Sequence, residues 1–208
     1  MNKLSTIKHV WFDFSDTIAR INRDIYDKVL YSSYAKTLKK ELNEALKQEF
    51  TEAFQRYKSN SAVFAAAGLP AGYLADCMSV VDPKKLYTIM DTNIPDIIRH
   101  LKDILPVSIL SNNKLNVILP ALEVDTKWFT YILGPDVVKN PKPALDGFHK
   151  IIELSKLKPD EILYIGDDVH KDLIPAKTVG IKTGLLWKES DEASYCFKDF
   201  HEILARFA

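Results

Sequence analysis

The sequence predicts an α/β protein: a parallel sheet with helices on both faces in three layers, and an all-α segment inserted near its start. Three observations carry this. Ile7–Phe14 (IKHVWFDF) is a short apolar run of β-branched and aromatic residues, and it gives way to a polar cluster around Asp13, Ser15, Asp16 and Thr17. From Val107 onward, short apolar runs alternate with stretches of helical periodicity, the rhythm of a parallel sheet with right-handed crossovers. Finally, about 90 residues separate the first strand from the second, where a βαβ unit needs roughly 30.

The elements follow in order. Ile7–Phe14 has the length and composition of a strand covered on both faces. From Asn22 to about Asn60 the pattern is helical, with Ile25, Val29, Leu42, Leu46, Phe50 and Phe54 spaced at intervals of three or four and pairs such as Glu44 and Lys47 one turn apart. Tyr26, Tyr34, Phe50, Phe54 and Phe64 are expected to pack the interior of this segment. Ser61–Val81 reads as shorter helices interrupted at Gly68, Pro70 and Gly72, and Asp82-Pro83 is a helix start. A further helix is expected from Pro95 to Lys102. Strands then fall at Val107–Leu110, Phe129–Leu133, Glu161–Ile165 and, last, Ile181–Leu186. Helices are expected over Lys114–Leu122, Pro143–Ser155, Lys171–Val179 and Phe197–Phe207. The excess of roughly 60 residues over an ordinary crossover is nearly all helical. It is assigned to 19–91 as a separate small domain over the sheet, leaving 1–18 and 92–208 as the core.

Composition narrows the function classes. Of 208 residues 47% are hydrophobic and 27% charged, ordinary for a globular protein able to bury a core without disulfides or structural metal. The formal net charge is zero, so no global field draws the chain to nucleic acid or membrane, and affinity for an anion has to be local. Met1–Thr6 lacks the apolar run of a signal peptide, and no stretch approaches the roughly 18 apolar residues of a membrane span. Cys77 and Cys196 match no metal or redox spacing. A cytoplasmic protein with reduced thiols is expected, without nucleic-acid or membrane partners, as a monomer or weak homodimer.

Ligands of an open parallel sheet bind beyond the carboxyl ends of the strands. There the first strand presents Asp13, Ser15 and Asp16, the second Ser111, and the fourth Asp167 and Asp168. Lys142 sits in a loop before a helix, within reach of the same edge. Carboxylates so clustered raise one another's pKa unless a cation binds, and hard oxygen ligands with substrate phosphate completing the shell suit Mg²⁺. Each residue also has a plainer reading. Asp13 could cap a turn, Ser111 could cap the next helix, Lys142 could be an ordinary surface lysine, and His170 is expected to face solvent. His9, His100, His149 and His201 suggest no metal site, and Trp187 reads as packing.

Four segments in order resemble the motifs of the haloacid dehalogenase-like superfamily over essentially the whole chain. VWFDFSDTI is similar to its first motif, Asp-x-Asp-Gly-Thr after an apolar strand; VSILSNN to its second, a strand ending in Ser or Thr. NPKPALDGF resembles the third, with Lys142, and ILYIGDDVHKD the fourth, with Gly166, Asp167, Asp168 and Asp172. The resemblance implies a Rossmann-like core with a helical cap inserted after the first motif (a C1-type insertion). It further implies a hydrolase that is Mg²⁺-dependent and acts on a small phosphorylated molecule. Asp13 would be the nucleophile that becomes an aspartyl-phosphate. Asp13, Asp167 and the Ser15 carbonyl would hold Mg²⁺, with Asp168 as a further candidate ligand. Ser111 and Asn112 would bind phosphate, and Lys142 would neutralise charge. Thr17 and Asp172 would support the site from behind, with Asp172 also open to an indirect contact with the metal.

Two positions depart from the pattern. Ser15 stands where a second Asp normally protonates the leaving group and activates water, help worth about 10²–10⁴ in rate. Good leaving groups, such as acyl or aryl phosphates, should therefore be favoured. Asp16 stands where glycine is usual. In a helical turn it would lie on a face next to Asp13 and partly replace the missing acid; otherwise it caps or faces solvent. Two other readings compete with the phosphatase. One is a catalytically weak Mg²⁺- and phosphate-binding regulatory protein. The other is a 2-haloacid dehalogenase, whose family members do not keep the paired acids of the fourth motif.

Overall fold

The computed structural model describes residues 4–70 and 72–207, so the first residues of the polar N-terminal stretch lie outside it. Its centre is a six-stranded sheet built from β1 (His9–Phe12), β4 (Val107–Leu110), β5 (Ile132–Leu133), β6 (Ile162–Gly166), β7 (Lys182–Leu186) and β8 (Tyr195–Phe197). The order is β5-β4-β1-β6-β7-β8 and every pairing is parallel. β1 lies in the middle, with Phe12 in register with Ile109 on one side and Ile165 on the other. All four β1 residues are buried, as expected where helices cover both faces.

Side chains alternate between two interiors. Val10 and Phe12 join a core with Ile97 and Leu101 of α6 (Ile94–Ile104) and Phe200 and Ile203 of α10 (Phe200–Ala205). Trp11 and Tyr164 face the other way, onto Phe148 and Ile151 of α8 (Asp146–Ser155) and Ala176 of α9 (Ile174–Thr178). Burying each such apolar side chain contributes roughly 1.5–3 kcal/mol. The three layers expected from the strand–helix alternation are present.

Between β1 and β4 the chain is mostly helical: α1 (Arg23–Leu38), α2 (Glu44–Tyr57), α3 (Asn60–Ala66), α4 (Tyr73–Met78) and α5 (Pro83–Leu86) precede α6. Asp82 caps α5 with Pro83 at its first position, and Lys47 reaches Glu44, both as the spacing indicated. One continuous helical stretch from Asn22 to Asn60 is not what forms. The chain turns at Lys39, in the left-handed region at φ 54°, and restarts at Asn43, whose side chain accepts from the Leu46 amide. Neither Gly nor Pro marks the break, so periodicity runs through it.

Strand content also exceeds expectation. β2 (Ala19–Ile21) and β3 (Tyr87–Ile89) pair antiparallel where the chain leaves and re-enters the core. β8 follows β7, which is therefore not the last strand, and the closing helix begins at Phe200 rather than Phe197. Strands of three residues are too short to show a period of two. Among the described residues no helix is long and apolar enough to cross a membrane.

Candidate active site

The carboxyl ends of β1, β4 and β6 deliver Asp13, Ser111 and Asp167 to one side of the sheet. They line a cavity of about 150 Å³ together with Ser15, Asp16, Asn112, Lys142 and Asp168. Its opposite wall comes from the helical segment: Arg23 and Tyr26 of α1, Phe54 of α2, and Lys58–Ser61 at the junction of α2 with the start of α3. Tyr26 and Phe54, expected to be interior packing only, thus also face the cavity. The other aromatics do pack: Phe50 meets Tyr34 edge-on with centroids 4.9 Å apart, and Phe64 lies edge-on to Tyr34 at 5.9 Å.

Asp13 is 2% exposed. The β1–β6 ladder continues through it, its amide donating to the Ile165 carbonyl at 2.8 Å. Its Oδ1 lies 2.8 Å from the Lys142 ammonium and its Oδ2 3.2 Å from that of Lys171. Oδ2 is buried without a hydrogen-bond partner among the described residues. Burial opposes ionisation of Asp13, but the charges of Lys142 and Lys171 outweigh it and hold the carboxyl below its ordinary range.

Lys142 is no surface lysine; it is 1% exposed. Its ammonium is also 2.6 Å from Asp172 Oδ1 and donates to the Tyr164 hydroxyl at 2.6 Å. Its backbone amide donates to Asn112 Oδ1 at 2.8 Å, and Asn112 Nδ2 returns a bond to the Lys142 carbonyl at 3.0 Å. This reciprocal clasp holds Asn112 at the cavity wall.

Asp172 is fully buried beneath Asp13. It has no seat at the cavity lining, and its carboxyl is raised by burial and by the neighbouring Asp13 charge, against the pull of Lys142. A Cβ on Gly166 would come within 2.6 Å of Asp172 Oδ2, so glycine is required for this approach. Asp167 is mostly buried, accepting from Thr17 Oγ1 at 3.4 Å, with Lys188 Nζ at 3.8 Å from its other oxygen. Burial, reinforced by Asp13 and Asp172, pushes its pKa up to about 7.

Asp13, Asp167 and Asp172 each offer an oxygen, all within 4.8 Å of one another. This set, with the unbonded buried oxygen of Asp13, fits a small hard divalent cation. The acid beside the other two is Asp172, not Asp168. Asp168 is turned instead to the one-turn π-helix Val169–Leu173, its Oδ1 accepting from the His170 and Lys171 amides at 2.8 Å each. It caps that turn. His170 is exposed, as expected.

Ser111 is 3% exposed, and its Oγ accepts from the Asn113 amide at 3.1 Å. Asn113 Nδ2 also donates to Ser15 Oγ at 2.8 Å, tying the first strand end to the second. Asp16 does not enter a helical turn. It sits at φ 58°, in the left-handed region where glycine is favoured and Asp tolerated. Its carboxylate accepts from the Ile21 amide and pairs with Arg23, so it is committed to β2 and α1 rather than to the place of a missing acid. Trp187 combines packing on Phe200 with a bond from its indole N–H to the Thr17 carbonyl at 3.3 Å.

Lys171, Tyr164 and Asn113 are site residues that sequence reasoning passed over. The first had a signal: Lys171 lies four residues after Asp167, the spacing of a helical ion pair. Asn113 stands within the second motif. Tyr164, inside a buried strand, gives no sign of its polar role.

A parallel α/β sheet whose strand ends bring Asp13 and Asp167 to one cavity, with Lys142 and Lys171 beside them and Asp172 behind, defines an enzyme-like site of the hydrolase kind. The chain belongs to the haloacid dehalogenase-like hydrolase family, whose model matches residues 10–186. It is 31% identical over 78 residues to phosphoglycolate phosphatase of Escherichia coli K12, a stretch covering 36% of this chain and 31% of that protein. Its fold is similar to that of a HAD phosphatase from Thermococcus onnurineus (TM-score 0.68, 21% identity, 95% of this chain and 96% of that one). It is also similar to that of L-2-haloacid dehalogenase from Xanthobacter autotrophicus (TM-score 0.61, 16% identity, 96% and 97%). Phosphatases and dehalogenases share the scaffold, so activity has to be read from the site.

Proposed function

We propose that the chain is a Mg²⁺-dependent phosphohydrolase or phosphotransferase acting on a small phosphorylated molecule through Asp13. The observation that carries this is the buried, ionised Asp13 carboxylate with one unbonded oxygen beside two other carboxylates. Asp13 and Asp167 would hold Mg²⁺, with the Ser15 carbonyl joining and Asp172 behind. The metal would offset charge between nucleophile and substrate. One Asp13 oxygen forms a bond to phosphorus as the bond to the leaving oxygen breaks. Lys142 balances the incoming charge, and Ser111 holds a phosphate oxygen. Water then cleaves the aspartyl-phosphate.

Ser15 accepts a hydrogen bond from Asn113, which leaves its own proton free to point at the leaving oxygen. A hydroxyl is a poor acid, so good leaving groups are favoured. A cavity of about 150 Å³ is below the roughly 300–1,000 Å³ of drug-sized sites, consistent with a small substrate. The helical segment acts as the cap, and the protein works in the cytoplasm without nucleic-acid or membrane partners, as a monomer or weak homodimer. A dehalogenase is disfavoured by the retained acids of the fourth motif.

Phosphate release from acetyl, aryl, sugar and nucleotide phosphates, with Mg²⁺ and with EDTA, tests the reading. Metal-dependent release is expected, with aryl above alkyl, and Ser15→Asp should raise alkyl turnover by about tenfold or more. Metal and phosphate-analogue binding without turnover, in Ser15→Asp as well, would favour the second reading, a regulatory Mg²⁺- and phosphate-binding protein.

A further inference from the structure

Two lysines attend the three carboxylates, and they are not equivalent. Lys142 is locked: 1% exposed, it bonds Asp172 and Tyr164 and pairs with Asp13 from below. Lys171 enters from the cavity side with its side chain 21% exposed. Its ammonium lies 3.2 Å from Asp13 Oδ2, 3.9 Å from Asp172 Oδ2 and 4.0 Å from Asp167 Oδ1. These three residues are the set whose oxygens gather within 4.8 Å, and Asp13 Oδ2 has no hydrogen-bond partner among the described residues. The ammonium therefore attends the whole cluster without giving this buried oxygen a hydrogen bond. Its backbone is fixed for this, since Asp168 caps the Lys171 amide at 2.8 Å. Lys188 approaches Asp167 from outside and is 62% exposed.

Counting formal charges, three carboxylates and two lysines leave the cluster at −1, against −2 without Lys171. We infer that Lys171 is a tethered counter-ion of the carboxylate cluster that competes with the divalent cation, making this site a weaker metal binder than its carboxylates alone would be. The inference rests on the reading of the cluster as a metal site. A lysine at ion-pair distance from each carboxylate both repels a dication and has to yield its contacts when one binds. Its partial exposure gives it somewhere to go. In exchange, the buried acids keep a partner when divalent metal is scarce.

Calorimetric titration of Mg²⁺ and Mn²⁺ into the full chain tests this, comparing wild type with Lys171→Met, Lys171→Arg and Asp167→Asn. Lys171→Met should bind both ions about tenfold tighter or more, and Lys171→Arg should stay near wild type. The melting temperature of Lys171→Met should fall without metal and recover at saturating Mg²⁺. Equal affinities in wild type and Lys171→Met would overturn the inference while leaving the metal site intact. If no variant binds either ion, the metal reading itself fails. Should Lys171→Met be unfolded without metal, folding on addition of Mg²⁺ is the expected result, and failure to fold at saturating Mg²⁺ would overturn it.

Discussion

The two walls of the cavity are built differently. On the sheet side, Asp13, Lys142, Tyr164 and Asp172 form one buried, mutually bonded unit in which each group is held by at least one other. On the helical side, Arg23 is 58% exposed at its side chain, and its tie runs to Asp16 within the cavity lining. The Lys58 ammonium donates to Gln55 Oε1, three residues back on the same helix end, at 3.3 Å. Between the walls, Asn112 Nδ2 reaches Ser59 Oγ at 3.2 Å, and Lys114 pairs with Asp76 nearby. A preorganised wall suits groups that face developing charge, because it need not rearrange during reaction. A loosely held wall suits selection among substrates, because changes there do not disturb the reacting groups.

That contrast can be broken at several points. The largest effect is expected at the rigid wall's centre: Asp13→Asn should lower phosphate release by about 10⁴-fold or more, measured at equal folded concentration. Residual activity within tenfold of wild type would show that another group attacks. Next comes Lys142→Met, which strands two carboxylates in a dry site. A loss of about 3–5 kcal/mol in urea denaturation is expected, partly recovered in the Lys142→Met, Asp172→Asn double variant. Full additivity of the two changes would mean the unit is not coupled.

A smaller effect concerns pH. Asp167, raised to about 7 in the fold against an ordinary value of 3.8, keeps a proton that the unfolded chain gives up. Its contribution is therefore complete below the ordinary value and is lost as pH rises through 7. Metal-free protein should lose on the order of 1–3 kcal/mol from this source between about pH 5 and 8. Asp172 acts in the same direction, while His9, lowered by burial from 6.5 to about 4, acts oppositely between those two values and so offsets part of the change below pH 6.5. Comparison with Asp167→Asn isolates the first term: its stability curve should be flatter over this range, and an identical slope would contradict the raised value. The smallest effects belong to the loose wall. Phe54→Ala and Arg23→Ala should change KM several-fold in a substrate-dependent way, with kcat on the best aryl phosphate within about threefold. A uniform collapse of kcat would erase the distinction between the walls.

The sheet-side wall was also the more legible. Asp13, Ser111 and Asp167 stand where apolar runs stop, and a parallel sheet places all such stops on one edge. Lys142 was recognisable by its motif, though not its burial. Asp168 and Asp172 were interchangeable on paper because their order depends on one π turn, which changes the face each side chain takes. The course of the chain at Asp16 is hidden for a similar reason: one left-handed residue redirects it, and only the φ angle shows it. Arg23 and Tyr26 of α1, Phe54 of α2 and Ser59 before α3 come together through packing that decides which flank meets the sheet, and periodicity supplies a stripe without a direction. The ribbon of β2 and β3 went unseen because its pairing joins residues far apart in sequence.

That ribbon has a consequence for the chain's history and its engineering. Ala19 lies opposite Ile89, and Ile21 opposite Tyr87, so the polypeptide departs and returns at one doorway. Everything from Asn22 to Leu86 hangs from a single two-stranded stem, itself closed by the Asn22 amide bonding the Leu86 carbonyl at 2.8 Å. All six strands of the main sheet lie outside Asn22–Leu86, so a short hairpin turn joining β2 to β3 would leave their sequence order unchanged.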